Sequence, residues 1–154
     1  MHSHCHKGRA LKPGDQIALS DCSPNPYEMQ NPIPFVLPTT LIPVYPKDWV
    51  VDVLAGPHDD DEFLTAEGNA AFYSTQWTIS SSSNRMGIRL QSKHGIQWAR
   101  ADGGEGGSHP SNILDNGYAL GTVNLNGDTP VILTQEGPDM GGYVCACTVT
   151  SGDL

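Results

Sequence analysis

The chain has 154 residues, which is enough for one domain with a hydrophobic core and too few to expect two. A formal net charge of −9, with only 8 lysines and arginines, argues against a surface that follows nucleic-acid phosphates, because such a surface needs clustered positive charge. No apolar run reaches the roughly 20 residues of a membrane span, and no signal-peptide core follows Met1. We therefore expect a cytoplasmic protein that contacts neither nucleic acid nor membrane.

Composition predicts the fold class. Glycine (17 residues) and proline (12 residues) are plentiful, charged residues are sparse, and apolar residues come in short runs. These features are typical of strand-and-turn proteins rather than helical bundles or disordered chains. We predict a mainly β protein in which short, evenly spaced strands form a barrel or a sandwich.

Residues 1–7 are predicted to be a flexible N-terminus. They contain metal-ligand residue types, but these are too close together for a compact tetrahedral site, so we predict no metal there and keep weak metal affinity as an alternative. The residues concerned are His2, His4, Cys5 and His6. The Pro13-Gly14-Asp15 segment then predicts a turn that delivers a short strand over residues 16–19.

Two strands are predicted at residues 41–45 and 49–54, and the second is nearly continuously apolar, so it should lie in the core. The acidic run at residues 57–62 has two interpretations, a cation site or helix capping, and capping by Asp59 or Asp60 is favoured because consecutive acids cannot all face one ion. Thr65 is predicted to cap a further helical turn.

Arg85 and Arg89 lie four residues apart, which places both on one face if the segment is extended. Two guanidinium groups on one face repel each other unless a negative group lies between them. Either a ligand or a structural partner such as Asp102 or Glu105 is therefore expected, and the two options stay open.

Residues 103–110 read Gly-Gly-Glu-Gly-Gly-Ser-His-Pro, and this segment is the most promising site in the sequence. Glycines let a backbone approach a ligand and expose its N–H groups, at a high cost in conformational entropy. Functional groups flank the loop on both sides: Arg85, Arg89, Arg100, Asp102, Ser108 and His109. We interpret it as the wall of a small-molecule site that these arginines help to form.

The C-terminal part predicts a β-hairpin, because Asn126-Gly127-Asp128 separates two apolar runs. A final strand is predicted over residues 143–149, with Cys145 and Cys147 on one face as reduced, buried thiols.

Several segments resemble one protein family. They are residues 8–12, 57–60, 63–65, 83–90, 102–112, 130–134 and 141–143. In these segments the chain resembles the carboxyltransferase domain of urea carboxylase and urea amidolyase, which is related to allophanate hydrolase subunit 2 and to the C component of bacterial 5-oxoprolinase. The form of the sequence at residues 103–110 resembles the urea carboxylase branch more than the oxoprolinase branch.

The resemblance implies an incomplete cyclophilin-like β-barrel with one or two short helices, spanning residues 8–150 and followed by a tail at residues 151–154. It implies transfer of a carboxyl group from carboxybiotin to urea, giving allophanate. Biotin is the implied cofactor, and ATP is used elsewhere in the complete enzyme. The implied partners are urea, the biotin-carrier and biotin carboxylase domains, and a companion domain like allophanate hydrolase subunit 1.

Within this resemblance, residue chemistry suggests roles. A general base must remove a proton from urea, and His109, Asp102 or Glu105 could act. Negative charge could be stabilised by Arg85 or by the N–H groups of the loop glycines, and urea needs both acceptors and donors. The remaining candidates for substrate binding are Arg89, Gln97, Gly106, Gly107, Ser108, Asn112 and Gln135.

Two alternatives remain open. The chain could be a component of an ATP-dependent 5-oxoprolinase, like the C component named above, or a non-catalytic fragment that binds only a ligand or a partner.

Overall fold

The structure, a computed structural model, describes residues 11–16 and 37–154. Contacts divide the chain into two units, Met1–Pro46 and Lys47–Leu154. Several predictions lie outside the described residues: the flexible N-terminus, its metal-ligand residue types, and most of the strand predicted at residues 16–19.

The described part of the first unit contains two turns. The Lys12 N–H donates to Asp15 Oδ2 at 2.7 Å, and Gly14 has a φ of 91°, so the turn predicted there is confirmed. A single 3₁₀ turn spans Thr39–Leu41. The strand predicted at residues 41–45 is wrong: no strand forms there, because Pro43 lacks an N–H donor for a ladder.

The second unit contains a six-stranded antiparallel sheet with the strand order β1-β8-β5-β6-β3-β2. A separate two-stranded sheet pairs β4 with β7. The strands are β1 (Val53–Ala55), β2 (Thr78–Ile79), β3 (Ile88–Gln91), β4 (Asn112–Gly117), β5 (Thr122–Asn126), β6 (Thr129–Ile132), β7 (Met140–Tyr143) and β8 (Cys145–Val149).

One α-helix, α1 (Ala66–Ser74), accompanies the sheets. Thr65 is its N-cap and accepts the Gly68 N–H at 2.9 Å, as predicted from the sequence. Asp60 caps no helix; its carboxylate accepts the Glu62 N–H in a turn that precedes Thr65. No helix among the described residues has the length and apolar character that a membrane span requires.

The core lies between the central strands and α1. Leu64, Leu125 and Val144 are fully buried, and Phe72 joins them from the helix. Central strand β5 is buried at four consecutive positions, so both of its faces are covered by other parts of the protein.

The mainly β class and the single short helix agree with prediction, and so does the Asn-Gly hairpin, in which β5 pairs with β6 and Gly127 has a φ of 61°. The described strands do not close into a barrel, since β1 and β2 are open edges of the large sheet.

The prediction of a core strand at residues 49–54 is confirmed only at its end, where Val53 packs against the core, and is wrong for residues 49–52. Strand β1 covers only Val53–Ala55, and Val50 and Leu54 are 92% and 65% exposed. Among the described strands β1 pairs with β8 alone, so its ladder hydrogen bonds within that set lie on one side.

Candidate functional site

The glycine-rich loop is closed by its own hydrogen bonds. Gly103 donates to the Gly107 carbonyl at 2.9 Å, Gly106 donates to Gly103 at 3.0 Å, and Gly107 donates to Gly104 at 3.3 Å. The Asp102 carboxylate accepts the Gly104 N–H at 2.9 Å. The expectation that Gly106 and Gly107 offer free N–H donors to a ligand is therefore wrong, because both groups already bond within the loop.

Close packing explains the glycines better than ligand approach does. A Cβ on Gly103 would lie 2.4 Å from the Asn112 carbonyl oxygen, and a Cβ on Gly106 would lie 2.5 Å from the carbonyl carbon of Ile113. The loop, which includes a 3₁₀ turn at Gly104–Gly106, therefore lies directly on the backbone of strand β4. No other residue type fits at these two positions without a shift of backbone atoms.

Arg100 anchors the far end of the loop. Its Nε donates to the Pro110 carbonyl at 2.8 Å, and one terminal nitrogen donates to the Asn112 carbonyl at 2.6 Å. The guanidinium carbon lies 4.5 Å from the centroid of the Phe63 ring, in a cation–π arrangement. Arg100 thus uses two of its five N–H donors to hold the start of β4, which is a structural role.

His58 also contacts the Phe63 ring, in an edge-type arrangement with ring centroids 4.7 Å apart. The Cys145 N–H donates to His58 Nδ1 at 2.9 Å. Burial lowers the pKa of His58, and the positive charge of Arg100 lowers it further, against a raising effect from Asp60. His58 therefore stays neutral as a structural residue.

Both described cysteines are buried and free, as predicted. Burial raises the pKa of the Cys147 thiol to about 12, with a smaller contribution from Cys145. A thiol of this kind stays protonated near neutral pH, so a nucleophile is not expected from it.

His109 is held in one orientation by Ser111. The Ser111 N–H donates to His109 Nδ1 at 3.1 Å, and the Ser111 hydroxyl lies 2.9 Å from the same nitrogen. A backbone N–H only donates, so Nδ1 must be the acceptor and the neutral ring carries its proton on Nε2. The Trp98 ring packs edge-on against the imidazole, with centroids 5.8 Å apart.

The β5–β6 turn supports this arrangement. Ser111 is fully buried, and its Oγ accepts the Gly127 N–H at 3.1 Å. Trp98 Nε1 donates to Asp128 Oδ1 at 2.9 Å. The two residues that flank His109 are therefore both tied to the same hairpin turn.

The acidic and hydroxyl groups of the loop are exposed. Glu105 has no hydrogen-bond or ion-pair partner within residues 11–16 and 37–154, whereas Asp102 is engaged with Gly104. Ser108 is exposed on the same loop. Of the two predicted carboxylates, Glu105 is therefore the one that makes no hydrogen bond to any described residue.

Arg85 does not join this loop. It lies in the turn before β3, its side chain is 83% exposed, and it pairs with Glu136. Its carbonyl accepts the Thr134 hydroxyl. The prediction that Arg85 and Arg89 share one face is wrong, because the chain turns between residues 84 and 87 before the strand begins.

Arg89 lies on β3 and lines a polar cavity of about 280 Å³. Gln97 lies elsewhere, at a second cavity of about 220 Å³ beside α1. Neither cavity is lined by Arg85, Glu105 or His109. Neither of the two is therefore the pocket that was expected between the glycine-rich loop and both arginines.

Asn112 and Gln135 also differ in their surroundings. The side-chain oxygen of Asn112 accepts a hydrogen bond from the backbone N–H of His109 at 3.1 Å and therefore stabilises the loop. Gln135 is exposed in the segment after β6.

Sequence reasoning missed Ser111 and the anchoring role of Arg100. The spacing His-Pro-Ser offered a signal for the first, since a serine two residues after a histidine can bond back to it. Nothing local indicated that Arg100 would bond to carbonyls ten and twelve residues away.

Comparison with known proteins identifies the family to which the chain belongs. Residues 2–154 match the model described as carboxyltransferase domain, subdomain A and B. A putative urea carboxylase of Emericella nidulans is 43% identical over 149 residues, which cover 97% of this chain and 11% of that protein. The C component of the Escherichia coli 5-oxoprolinase is 26% identical over 150 residues, covering 96% of this chain and 41% of that protein.

A solved structure agrees with these sequence similarities. The crystal structure of the Kluyveromyces lactis urea carboxylase matches with a TM-score of 0.69 and 40% identity, over 75% of this chain and 10% of that one. The chain therefore spans about a tenth of the length of these urea carboxylase relatives.

Proposed function

Because the chain belongs to the family of carboxyltransferase domains, subdomains A and B, we propose that it is part of a urea carboxylase and transfers a carboxyl group from carboxybiotin to urea. The product of that reaction is allophanate. The similarity to urea carboxylases supports the assignment, and the observation that carries it is the environment of His109. A ring N–H of fixed tautomer next to a loop that bears a free carboxylate is suited to amide chemistry.

The loop residues fit a carboxylated ureido group in their donor and acceptor chemistry. His109 offers one N–H donor, and Glu105 offers one unpaired carboxylate. The glycine N–H groups do not contribute, since they bond within the loop. When bound, carboxybiotin supplies the activated carboxyl group.

His109 acts in this proposal as a donor and not as a base. Its Nδ1 already accepts the Ser111 N–H, so a lone pair at Nε2 would require the other tautomer and would place two N–H groups against each other. The Nε2–H instead stabilises negative charge that develops on an oxygen of the ureido or carboxyl group. Ser111 is the positioning residue for this donor.

Glu105 accepts the proton of the urea nitrogen in this proposal. Urea nitrogen is a weak nucleophile, and removal of its proton would lower the barrier as the new N–C bond forms and the bond from the transferred carboxyl carbon to the ureido nitrogen of biotin breaks. The electron pair of the broken bond would stay on the ureido group, where the His109 donor would stabilise the charge. Glu105 suits this role because no hydrogen bond within the described residues holds its carboxylate, in contrast to Asp102. Ser108, on the same loop, is proposed to orient the urea amide.

The remaining steps belong to other parts of a complete enzyme. We propose that a biotin carboxylase uses ATP to carboxylate biotin, that a biotin-carrier domain delivers it, and that a companion domain like allophanate hydrolase subunit 1 completes the site. The length of the urea carboxylase relatives supports this division, since they are about ten times longer than the region that matches.

Carboxyl transfer can be tested with the purified chain, free carboxybiotin labelled with ¹³C in its carboxyl group, and urea. Labelled allophanate, detected by NMR, is expected above the uncatalysed rate, alone or after addition of the remaining carboxyltransferase domain of a relative. Absence of product in both arms would contradict the proposal.

Two substitutions of His109 distinguish a donor from a base. Glutamine retains an N–H donor and alanine does not, so His109→Gln should keep more activity than His109→Ala, which we expect to lose about 10²-fold. Equal loss in both variants would indicate a base at this position.

Glu105→Gln should lower the rate by about 10²-fold and remove the acidic limb of the pH profile, because that limb reports protonation of the carboxylate base.

A 5-oxoprolinase component is the second candidate, because the Escherichia coli C component matches over almost the whole chain. ATP hydrolysis that depends on 5-oxoproline, in a complex reconstituted with the other oxoprolinase components, would favour it. Binding of urea without turnover in any mixture would instead favour a module that only binds.

A further inference from the structure

A polar cavity of about 280 Å³ lies against strands β3 and β6. It contains neither His109 nor Glu105, so the carboxyl-transfer proposal makes no use of it. Its polar lining combines one cation, two carboxamides and three hydroxyls: Ser80, Ser82, Arg89, Gln91, Asn126 and Thr129. Val131 adds an apolar wall.

Arg89 is the charged group of this cavity. Its backbone is fully engaged: the N–H donates to Ser83 Oγ at 2.9 Å, and the carbonyl accepts the Ser80 N–H at 2.8 Å. Its half-buried guanidinium, by contrast, has no hydrogen-bond or ion-pair partner in the described part of the chain. A partly buried, unpaired cation is unfavourable, and an anionic ligand would remove that cost.

The walls are formed in advance of any ligand. Ser80 is buried, and its Oγ accepts the Ser82 N–H at 3.2 Å, so the serine turn is ordered by its own bonds. Asn126 and Thr129 face each other as the last pair of the β5–β6 hairpin. A ligand would therefore lose little affinity to ordering of the site.

We infer that this cavity binds a small monoanionic carboxylate that also bears an amide group. The guanidinium fork matches a carboxylate, and the side chains of Gln91 and Asn126 match an amide in both donors and acceptors. The cavity volume lies at the lower limit of small-molecule sites. One cation on a chain with net charge −9 favours a monoanion over a multiply charged phosphate.

The same hairpin turn joins this cavity to the glycine-rich loop. Asn126 and Thr129 line the cavity, while Gly127 and Asp128 bond to Ser111 and Trp98. A ligand that bonds Asn126 would thus contact the segment that supports His109. The two sites are neighbours without sharing a residue.

Calorimetric titration of the 154-residue chain tests the inference with three probes: malonamate, its uncharged isostere malonamide, and inorganic phosphate. Malonamate should bind wild-type protein about tenfold more tightly than malonamide, because it alone engages the guanidinium charge. Arg89→Gln should abolish that preference. Lys93→Gln, which removes an exposed positive charge four residues later, should preserve it.

Equal binding of malonamate and malonamide to wild-type protein, or no binding of malonamate, would overturn the inference, as would an unchanged preference in Arg89→Gln. Tighter binding of phosphate than of malonamate would overturn the carboxylate assignment. The wild-type comparison needs no variant, so a folding defect in Arg89→Gln leaves the test valid. Because it measures binding and not carboxyl transfer, its failure is distinct from failure of the proposed function.

Discussion

The glycine-rich loop and the Arg89 cavity both adjoin the β5–β6 turn, and they differ in how many of their polar groups are already bonded. In the loop, the N–H groups of Gly103, Gly106 and Gly107 and the guanidinium of Arg100 are satisfied by the protein itself. In the cavity, the guanidinium of Arg89 makes no hydrogen bond or ion pair to any residue that the structure describes. In the glycine-rich loop, the glycines therefore indicate close packing against β4. In the Arg89 cavity, polar side chains without protein partners indicate where a ligand could bind.

The two half-buried arginines offer the largest test of this comparison. Arg100→Met leaves two carbonyl acceptors without a donor and removes the cation beside Phe63, so it should lower the free energy of unfolding by about 3 kcal/mol. Arg89→Met removes a cation that has no partner among the described residues, so it should leave the free energy of unfolding unchanged or raise it slightly. Urea denaturation of both variants measures the difference.

Similar losses in the two variants would break the comparison, because they would mean that Arg89 also has a structural partner. Arg85→Met serves as the surface control: its exposed pair with Glu136 should contribute less than about 1 kcal/mol.

Gly106→Ala should lower the free energy of unfolding by about 2 kcal/mol, because the added Cβ would lie 2.5 Å from a backbone atom of Ile113. The matched control is Gly117→Ala on β4, the strand against which the loop packs, where no atom lies within 4 Å of the added Cβ. Thermal denaturation of both variants tests the packing role, and equal melting temperatures would contradict it.

The fold class and the hairpin were accessible from sequence because both depend on local signals. Asn126-Gly127 encodes its own turn through a positive φ, and Thr65 caps α1 by a bond to Gly68, three residues away. The exposed segment before β1 was not accessible in this way. An apolar run predicts burial, yet whether Val50 is covered depends on strand order, and β1 is an edge.

The candidate site was only partly accessible for the same reason. His109 and Glu105 could be proposed from their residue types, because both lie in one short loop. The bonds of Arg100 to Pro110 and Asn112, and of Ser111 to Gly127, depend on how the loop packs on β4 and on the hairpin. Arg85 and Arg89 are separated by a turn between residues 84 and 87, whereas the prediction assumed that the whole segment is extended.

Ser111→Ala should cost about 1 kcal/mol of stability, because the Gly127 N–H loses its buried acceptor. It should also loosen the orientation of His109, since one of two bonds to Nδ1 is removed. In the carboxyl-transfer assay, kcat should fall with little change in KM for urea. Unchanged kcat at the expected loss of stability would assign Ser111 a purely structural role.

The smallest expected effect is a pH dependence from His58. Its folded-state pKa lies below 6.5, chiefly because of burial, so below pH 6.5 the unfolded chain takes up a proton that the folded chain resists. The stability that neutral His58 contributes is therefore present above pH 6.5 and is lost as pH falls. His58→Gln should show a smaller decrease in melting temperature on acidification than wild-type protein, with His94→Gln as the exposed control.

The pKa of His58 should also depend on Arg100, because the positive charge of Arg100 contributes to lowering it. In Arg100→Met the His58 pKa, followed by NMR of the ring protons, should rise. A pKa that stays unchanged would show that Arg100 and His58 are not electrostatically coupled.

The claim on which the functional account depends most is that His109 presents its Nε2–H and keeps Nδ1 as an acceptor. Long-range ¹H–¹⁵N correlation NMR of the imidazole measures this tautomer directly. The Nε2-protonated tautomer is expected in wild-type protein, with the preference weakened in Ser111→Ala. Observation of the Nδ1-protonated form in wild-type protein would contradict it and would return His109 to the role of general base.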